Sequence, residues 1–169
     1  MSDSNNFDLQ AFLPYLLNQA AEQSSLSFQR SYKNRYNMLR TEWRVMFHLG
    51  LFGAMTARDI GIRGKIHKTK ISRAVQKLTE KRFILRQRSA DDRRLESLQL
   101  TVSGRAAYLE LRKTAEQYQA DLSVDFSEEE FALLQTMLKR LIKPCASSLQ
   151  QRPLTGSVAP DSSTANDPK

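Results

Sequence analysis

The amino-acid sequence predicts a mainly α-helical chain that carries one small β-hairpin. Apolar residues recur at helical spacing in successive segments, each bounded by start or stop signals. Two short β-prone runs, Ile84–Arg88 and Leu95–Thr101, interrupt that order, and in the second Leu98 and Leu100 alternate with Ser97, Gln99 and Thr101. A chain of 169 residues, 40% of them hydrophobic, has room for one core and a tail.

The first helix is expected from Pro14 to Tyr36. Proline suits the first helical turn because its missing N–H would be unsatisfied there, and Leu13, Leu16, Leu17, Ala20 and Ala21 follow at helical spacing. Thr41 is the expected N-cap of a second helix with Trp43, Val45, Met46, Leu49 and Phe52 around it, closed by Gly53. Thr56 opens a short third helix through Ile60, ending near Gly61–Gly64. A fourth runs from His67 to Arg82, with Ile71, Val75 and Leu78 as its inward stripe. After the hairpin a fifth extends from Ser103 to about Val124. Ser127-Glu128-Glu129-Glu130 starts the last helix: the serine hydroxyl can accept from the Glu130 N–H while Glu130 reaches back. Phe131, Leu134, Met137, Leu138, Leu141 and Ile142 give that helix an apolar face, and Lys139, Arg140 and Lys143 suit its C-terminal dipole before Pro144. Residues 151–169 offer almost nothing to bury and are expected to be disordered.

Charge is segregated. The chain carries 26 Lys+Arg against 18 Asp+Glu, a formal net charge of +8. From Arg58 to Arg105 there are 14 basic and 5 acidic side chains, which leaves 12 basic and 13 acidic for the rest. The whole excess lies in that stretch, as expected of a footprint for a polyanion.

Several classes are excluded or disfavoured. No apolar run approaches the length of a membrane span, and the polar start MSDSNNFDLQ lacks the layout of a secretory signal. One cysteine, Cys145, permits no intrachain disulfide and points to a reducing cytoplasm; with no second cysteine and no helix N-terminus beside it, a redox role is disfavoured. Two histidines, one cysteine and no Gly-rich phosphate loop supply no nucleophile–base pair, so an enzyme is not expected, nor a cofactor or metal. Glu128–Glu130 are consecutive and cannot converge on one ion.

Thr56–Arg82 reads as a helix–turn–helix whose second helix presents Thr69, Lys70, Arg73, Gln76 and Lys77 outward, with Ser72 at the margin. Arg can bond the O6/N7 edge of guanine, Gln the N6/N7 edge of adenine, and Thr offers a hydroxyl or a methyl. Lys70 and Lys77, at the edges of the face, suit phosphates. Arg93 and Arg94 at the hairpin tip suit a narrow minor groove. The partner this implies is double-stranded DNA.

The segment MTARDIGIRGKIHKTKISRAVQKLTEKRFILRQRSADDRRLESLQLT resembles the winged helix–turn–helix of the MarR family of bacterial transcription regulators. HKTKISRAVQKL is similar to its recognition helix, DDRR to its wing tip and LQLTVSG to the strand-to-helix junction, while FLPYLL and EWRVMFHL resemble its first two helices. The resemblance runs from about Phe12 to Ile142. It implies a winged helix–turn–helix core at about 41–104, flanked by dimerisation helices at about 12–36 and 103–145, within a domain spanning 12–150 after a flexible 1–11. It implies that Arg94 enters the minor groove, that Asp92 braces the wing, and that Thr69, Lys70, Ser72, Arg73 and Lys77 contact the major groove and its phosphates. It also implies a homodimeric, nucleoid-associated regulator, most simply a repressor released from a pseudo-palindromic operator by a small effector. That effector would be aromatic and anionic, or a thioester. Tyr32, Tyr36, Arg40, Trp43, Arg44 and His48 could receive it, although the same side chains could contact flanking DNA or simply cover the first helix. Two positions depart from the family pattern: Arg82 stands where a glycine is usual, and Ile60-Gly61 where Leu-Ala is usual. The competing reading is a winged-helix module that binds an acidic protein or organises the nucleoid without a specific operator.

Overall fold

The computed structural model describes residues 7–88 and 96–142. In chain order these are α1 (Leu13–Tyr36), α2 (Arg40–Phe52), β1 (Met55–Thr56), α3 (Ala57–Gly64), α4 (Lys68–Glu80), β2 (Ile84–Arg88), β3 (Glu96–Leu100), α5 (Val102–Ser123) and α6 (Glu128–Ile142). The chain divides into two compact units, residues 1–124 and 125–169.

In the first unit the strands form an antiparallel sheet in the order β1-β3-β2. The expected hairpin is present, with Ile84 paired to Leu100 and Arg86 to Leu98. The two-residue strand β1 had no sequence signal; it adds Met55 opposite Leu98 and Thr56 opposite Ser97. A strand this short cannot show alternation, so only the folded context reveals it.

Several boundaries differ from expectation. Leu39, extended and without a side-chain cap, occupies the N-cap of α2, and Thr41 lies inside the helix. α3 runs to Gly64, the far end of the Gly61–Gly64 stretch expected to close it. His67 caps α4, its Nδ1 accepting from the Thr69 N–H at 3.3 Å. Thr56 and Thr101 cap α3 and α5 by accepting from the backbone N–H of Asp59 and Gly104.

Three helices close on left-handed residues that are not glycine: Asn37, Lys65 and Arg82, with φ of 49°, 48° and 59°. At the end of α4 the Arg82 N–H reaches the Thr79 carbonyl and the Phe83 N–H reaches Leu78. The residue that replaces the usual glycine therefore keeps a glycine-like backbone. Next to it the Phe83 carbonyl lies where a Cβ on Gly104 would stand, 1.9 Å away, so the junction into α5 admits no side chain.

The core of this unit joins α1, α2, α4, the sheet and α5 through Tyr32, Val45, Met46, Ile71, Leu78, Leu98 and Leu111, all nearly inaccessible. One charged residue is buried with it. Glu42 on α2 is 2% exposed and pairs with Lys81 just past α4 at 2.7 Å. Lys81 also donates to the Asn37 carbonyl at the end of α1. One ammonium thus ties together α1, α2 and the end of α4.

The second unit contains α6. Its start is the expected reciprocal cap: Glu130 N–H donates to Ser127 Oγ at 3.2 Å and Ser127 N–H to Glu130 Oε2 at 2.8 Å. No residue of this helix is buried, and Leu133, Leu134, Met137, Leu138, Leu141 and Ile142 are all exposed.

Candidate nucleic-acid interface

α4 is amphipathic by position. Ile71, Ala74, Val75 and Leu78 are buried, whereas Thr69, Lys70, Ser72, Arg73, Gln76 and Lys77 are all exposed. Those six are the residues expected on the outward face, and the helix brings them together on one side. Thr69 and Lys70 occupy its first turn, where free N–H groups favour an anion. At the other end the face carries a group that the sequence reading missed. Glu80 accepts from Gln76 Nε2 with one carboxylate oxygen and from Lys77 Nζ with the other, both at 3.0 Å. The Lys77 ammonium, then the Gln76 amide, hold the Glu80 carboxyl below the ordinary carboxylate range. Its signal was available: a 100° turn per residue puts position 80 over positions 69, 73 and 76.

The hairpin lies beside this helix in sequence and in contact with it. Arg86 on β2 meets Glu96 on β3 at 3.2 Å, and Gln99 donates to Gln87 across the strands. The tip, with Asp92, Arg93 and Arg94, lies outside the described residues, as does Cys145. Between α3, α4 and the strands is a cavity of about 720 Å³. Ile66, Ile71, Val75 and Leu98 line it, together with Arg58, Lys68 and Arg86. Glu96, paired with Arg86, also lines it.

The six side chains considered for an effector are divided among different contacts. Tyr32 is 1% exposed, and its ring lies 5.7 Å from that of Trp43. Phe28 and Phe47 pack edge-on against Trp43 at 5.4 and 5.2 Å. The Trp43 Nε1 is buried and has no hydrogen-bond partner among the described residues. Tyr36 donates its hydroxyl to Glu110 on α5 at 2.6 Å, and Arg40 pairs with Glu22 on α1 at 3.1 Å. Arg44 donates to the Gly64 carbonyl at the end of α3. His48 donates from Nδ1 to the Arg44 carbonyl at 2.7 Å. Burial pushes the Tyr32 phenol up; burial, then the neighbouring Arg40, pushes the Arg44 guanidinium down. Tyr32 and Trp43 therefore belong to an aromatic cluster, while Arg44 and His48 face the helix–turn–helix.

Among the described residues no group of three or more His, Cys, Asp or Glu could hold a metal ion. No described helix is long and apolar enough to cross a membrane.

The fold of this region is shared with other proteins. The MarR family model matches residues 36–95. A MarR/EmrR family transcriptional regulator from Acinetobacter sp. ADP1 is 25% identical and superposes with a TM-score of 0.73, over 79% of this chain and 94% of that one. Residues 36–95 are thus similar to the MarR family's characteristic segment. The proteins the chain resembles are transcriptional regulators of the MarR type, not enzymes. Two more distant structures share the fold. Bordetella bronchiseptica BpsR, described with regulation of its DNA binding by 6-hydroxynicotinic acid, is 19% identical with a TM-score of 0.73, over 80% of this chain and 96% of that one. A MarR variant from E. coli, complexed with operator DNA, is 16% identical with a TM-score of 0.72, over 83% of this chain and 100% of that one.

Proposed function

We propose that the protein is a homodimeric repressor that grips a pseudo-palindromic operator and leaves it when a small effector binds. The observation that carries this reading is the exposed polar face of α4, which stands clear of the core beside a basic hairpin. In it Arg73 and Gln76 read base edges, Thr69 and Ser72 make shorter contacts, and Lys70 and Lys77 hold phosphates. Arg93 and Arg94 reach the adjacent minor groove, with Asp92 bracing the tip. The operator complex of the E. coli MarR variant, which has the same fold, supports the arrangement.

Dimerisation is supported by apolar side chains that nothing covers within either unit. In the first unit Phe12, Leu13, Leu16 and Leu26 are exposed; in the second the α6 residues are. Apolar surface on this scale marks an interface, and two-fold symmetry makes it self-complementary. Two recognition helices so related read half-sites about 10 bp apart. The effector is a small aromatic anion or thioester, received by the Tyr32, Tyr36, Arg40, Trp43, Arg44 and His48 region; the regulation of BpsR DNA binding by 6-hydroxynicotinic acid supports this class. Such a ligand must favour a spacing of recognition helices that cannot span both grooves, since only differential affinity shifts an equilibrium.

The test is competition. Full-length protein is incubated with the DNA upstream of its own gene and an excess of random duplex. A complex that survives the competitor, with two protomers per site by sedimentation, is the expected result. Equal loss to random DNA would favour the nucleoid-organising alternative, and a stable monomer at micromolar concentration would contradict the dimer.

A further inference from the structure

The exposed face of α4 contains one carboxylate, that of Glu80. By helical rotation it projects within about 20° of Thr69 and between Arg73 and Gln76. Local stability does not account for a glutamate here. A negative charge in the last turn opposes the helix dipole, and lysine before glutamate is the poorer order for an intrahelical pair. The Lys77–Glu80 pair is solvent-exposed, with side chains 59% and 49% accessible, a setting in which ion pairs add little.

Its contacts suggest another role. Glu80 engages the two side chains at the C-terminal end of the reading face, one on each oxygen. Lys77, suited to a phosphate, is neutralised before any duplex arrives. Gln76 gives one of its two amide N–H groups to Glu80 and keeps Oε1 and the second N–H. Those are the acceptor and donor that the N6/N7 edge of adenine requires.

We propose that Glu80 is a specificity-determining positioning residue, which withholds Lys77 from non-cognate DNA and presets the Gln76 amide for a base edge. The proposal rests on the DNA-binding reading of α4. Binding to random duplex rests on phosphate contacts, so Lys77 must leave Glu80 to contribute to it, and one counterion-releasing contact is suppressed. A cognate site engages the preset amide as well, and the difference between the two widens. Glu80 thereby lowers general affinity more than specific affinity.

The experiment uses the full-length protein, a random 30-bp duplex, and the duplexes that the wild type enriches from a random pool. Glu80→Gln removes the charge but can still accept from Gln76; Glu80→Ala removes both functions. Glu80→Gln is expected to bind random duplex several-fold tighter. Its plot of log affinity against log salt is expected to steepen by about 0.9, the increment for one more phosphate. In a Lys77→Ala background the same substitution should leave the slope unchanged. Glu80→Ala should show the same gain on random duplex and lose about tenfold in preference at one adenine. Unchanged slope and random-duplex affinity for Glu80→Gln, beside a wild type that binds DNA, would overturn this proposal alone. A gain that persists without Lys77 would overturn it too. A wild type that binds no duplex would remove the DNA reading with it. Independently, Lys77→Ala should raise the Glu80 carboxyl titration, followed by NMR in the free protein; no rise would contradict the pairing.

Discussion

Two faces of the first unit both carry basic and polar side chains and use them in opposite ways. On α4, Thr69, Lys70, Ser72, Arg73, Gln76 and Lys77 all reach solvent. Along α1 and α2, Tyr32 and Trp43 pack into an aromatic cluster, while Tyr36, Arg40 and Arg44 are held by Glu110, Glu22 and the Gly64 carbonyl. The first face is free to meet a partner without disturbing the fold. The second can receive one only by exchanging contacts that already hold it together.

The contrast can be broken most forcefully at its buried end. Tyr32→Ala should destabilise the protein by about 3–5 kcal/mol in urea denaturation, because a nearly inaccessible ring leaves a cavity. A loss below about 1 kcal/mol would show that the cluster collapses around the gap, and that the region is an open pocket instead of packed core.

Lys81→Ala tests the joint between the faces. It strands the buried Glu42 carboxylate, and a loss of about 3 kcal/mol is expected, most of it recovered when Glu42→Met is added. Equal losses in the single and double variants would mean that packing, not the charge pair, fixes the end of α4.

Smaller effects sharpen the picture. Arg82→Gly should gain about 1 kcal/mol, since a side chain in the left-handed region carries a penalty that glycine escapes. A lower melting temperature would reveal a stabilising contact of the arginine side chain. Tyr36 and Glu110 make stability depend on pH at both extremes. Burial first, then the bond to Glu110, raises the Tyr36 phenol, so its contribution is complete below the ordinary phenol value and fades as pH rises through the higher folded one. Glu110 is lowered, first by Tyr36 and also by Arg35, so its contribution is present above the ordinary carboxylate value and fades as pH falls through the lower folded one. Tyr36→Phe should flatten both ends of the stability–pH profile; an unchanged profile would deny the coupling.

Much of this was legible in the sequence. Helical spacing located the helices and the inward stripe of α4, because periodicity is a direct imprint of a buried face. Ser127 and Glu130 announced the reciprocal cap, and Thr56 announced α3. Thr41 did not serve as the cap of α2, which starts after Leu39 without a side-chain cap, and α3 runs through Gly61 to the far end of the expected Gly61–Gly64 stop. β1 was too short for any pattern. The outward residues of α4 were readable one by one, but the grip of Glu80 on two of them needed the rotation of the helix to be taken to its last turn. The aromatic region was the hardest to read. Residue types named its members, yet only packing shows that Tyr32 is sealed and that Arg44 turns toward α3.

Guanine-N7 methylation interference on a selected operator tests the central claim most directly. The account predicts two clusters of interfering guanines about one helical turn apart on one side of the duplex, with Arg73→Ala losing its sensitivity at one symmetry-related pair. Interference at a single cluster, or a footprint that Arg73→Ala leaves whole, would contradict a paired major-groove grip through α4.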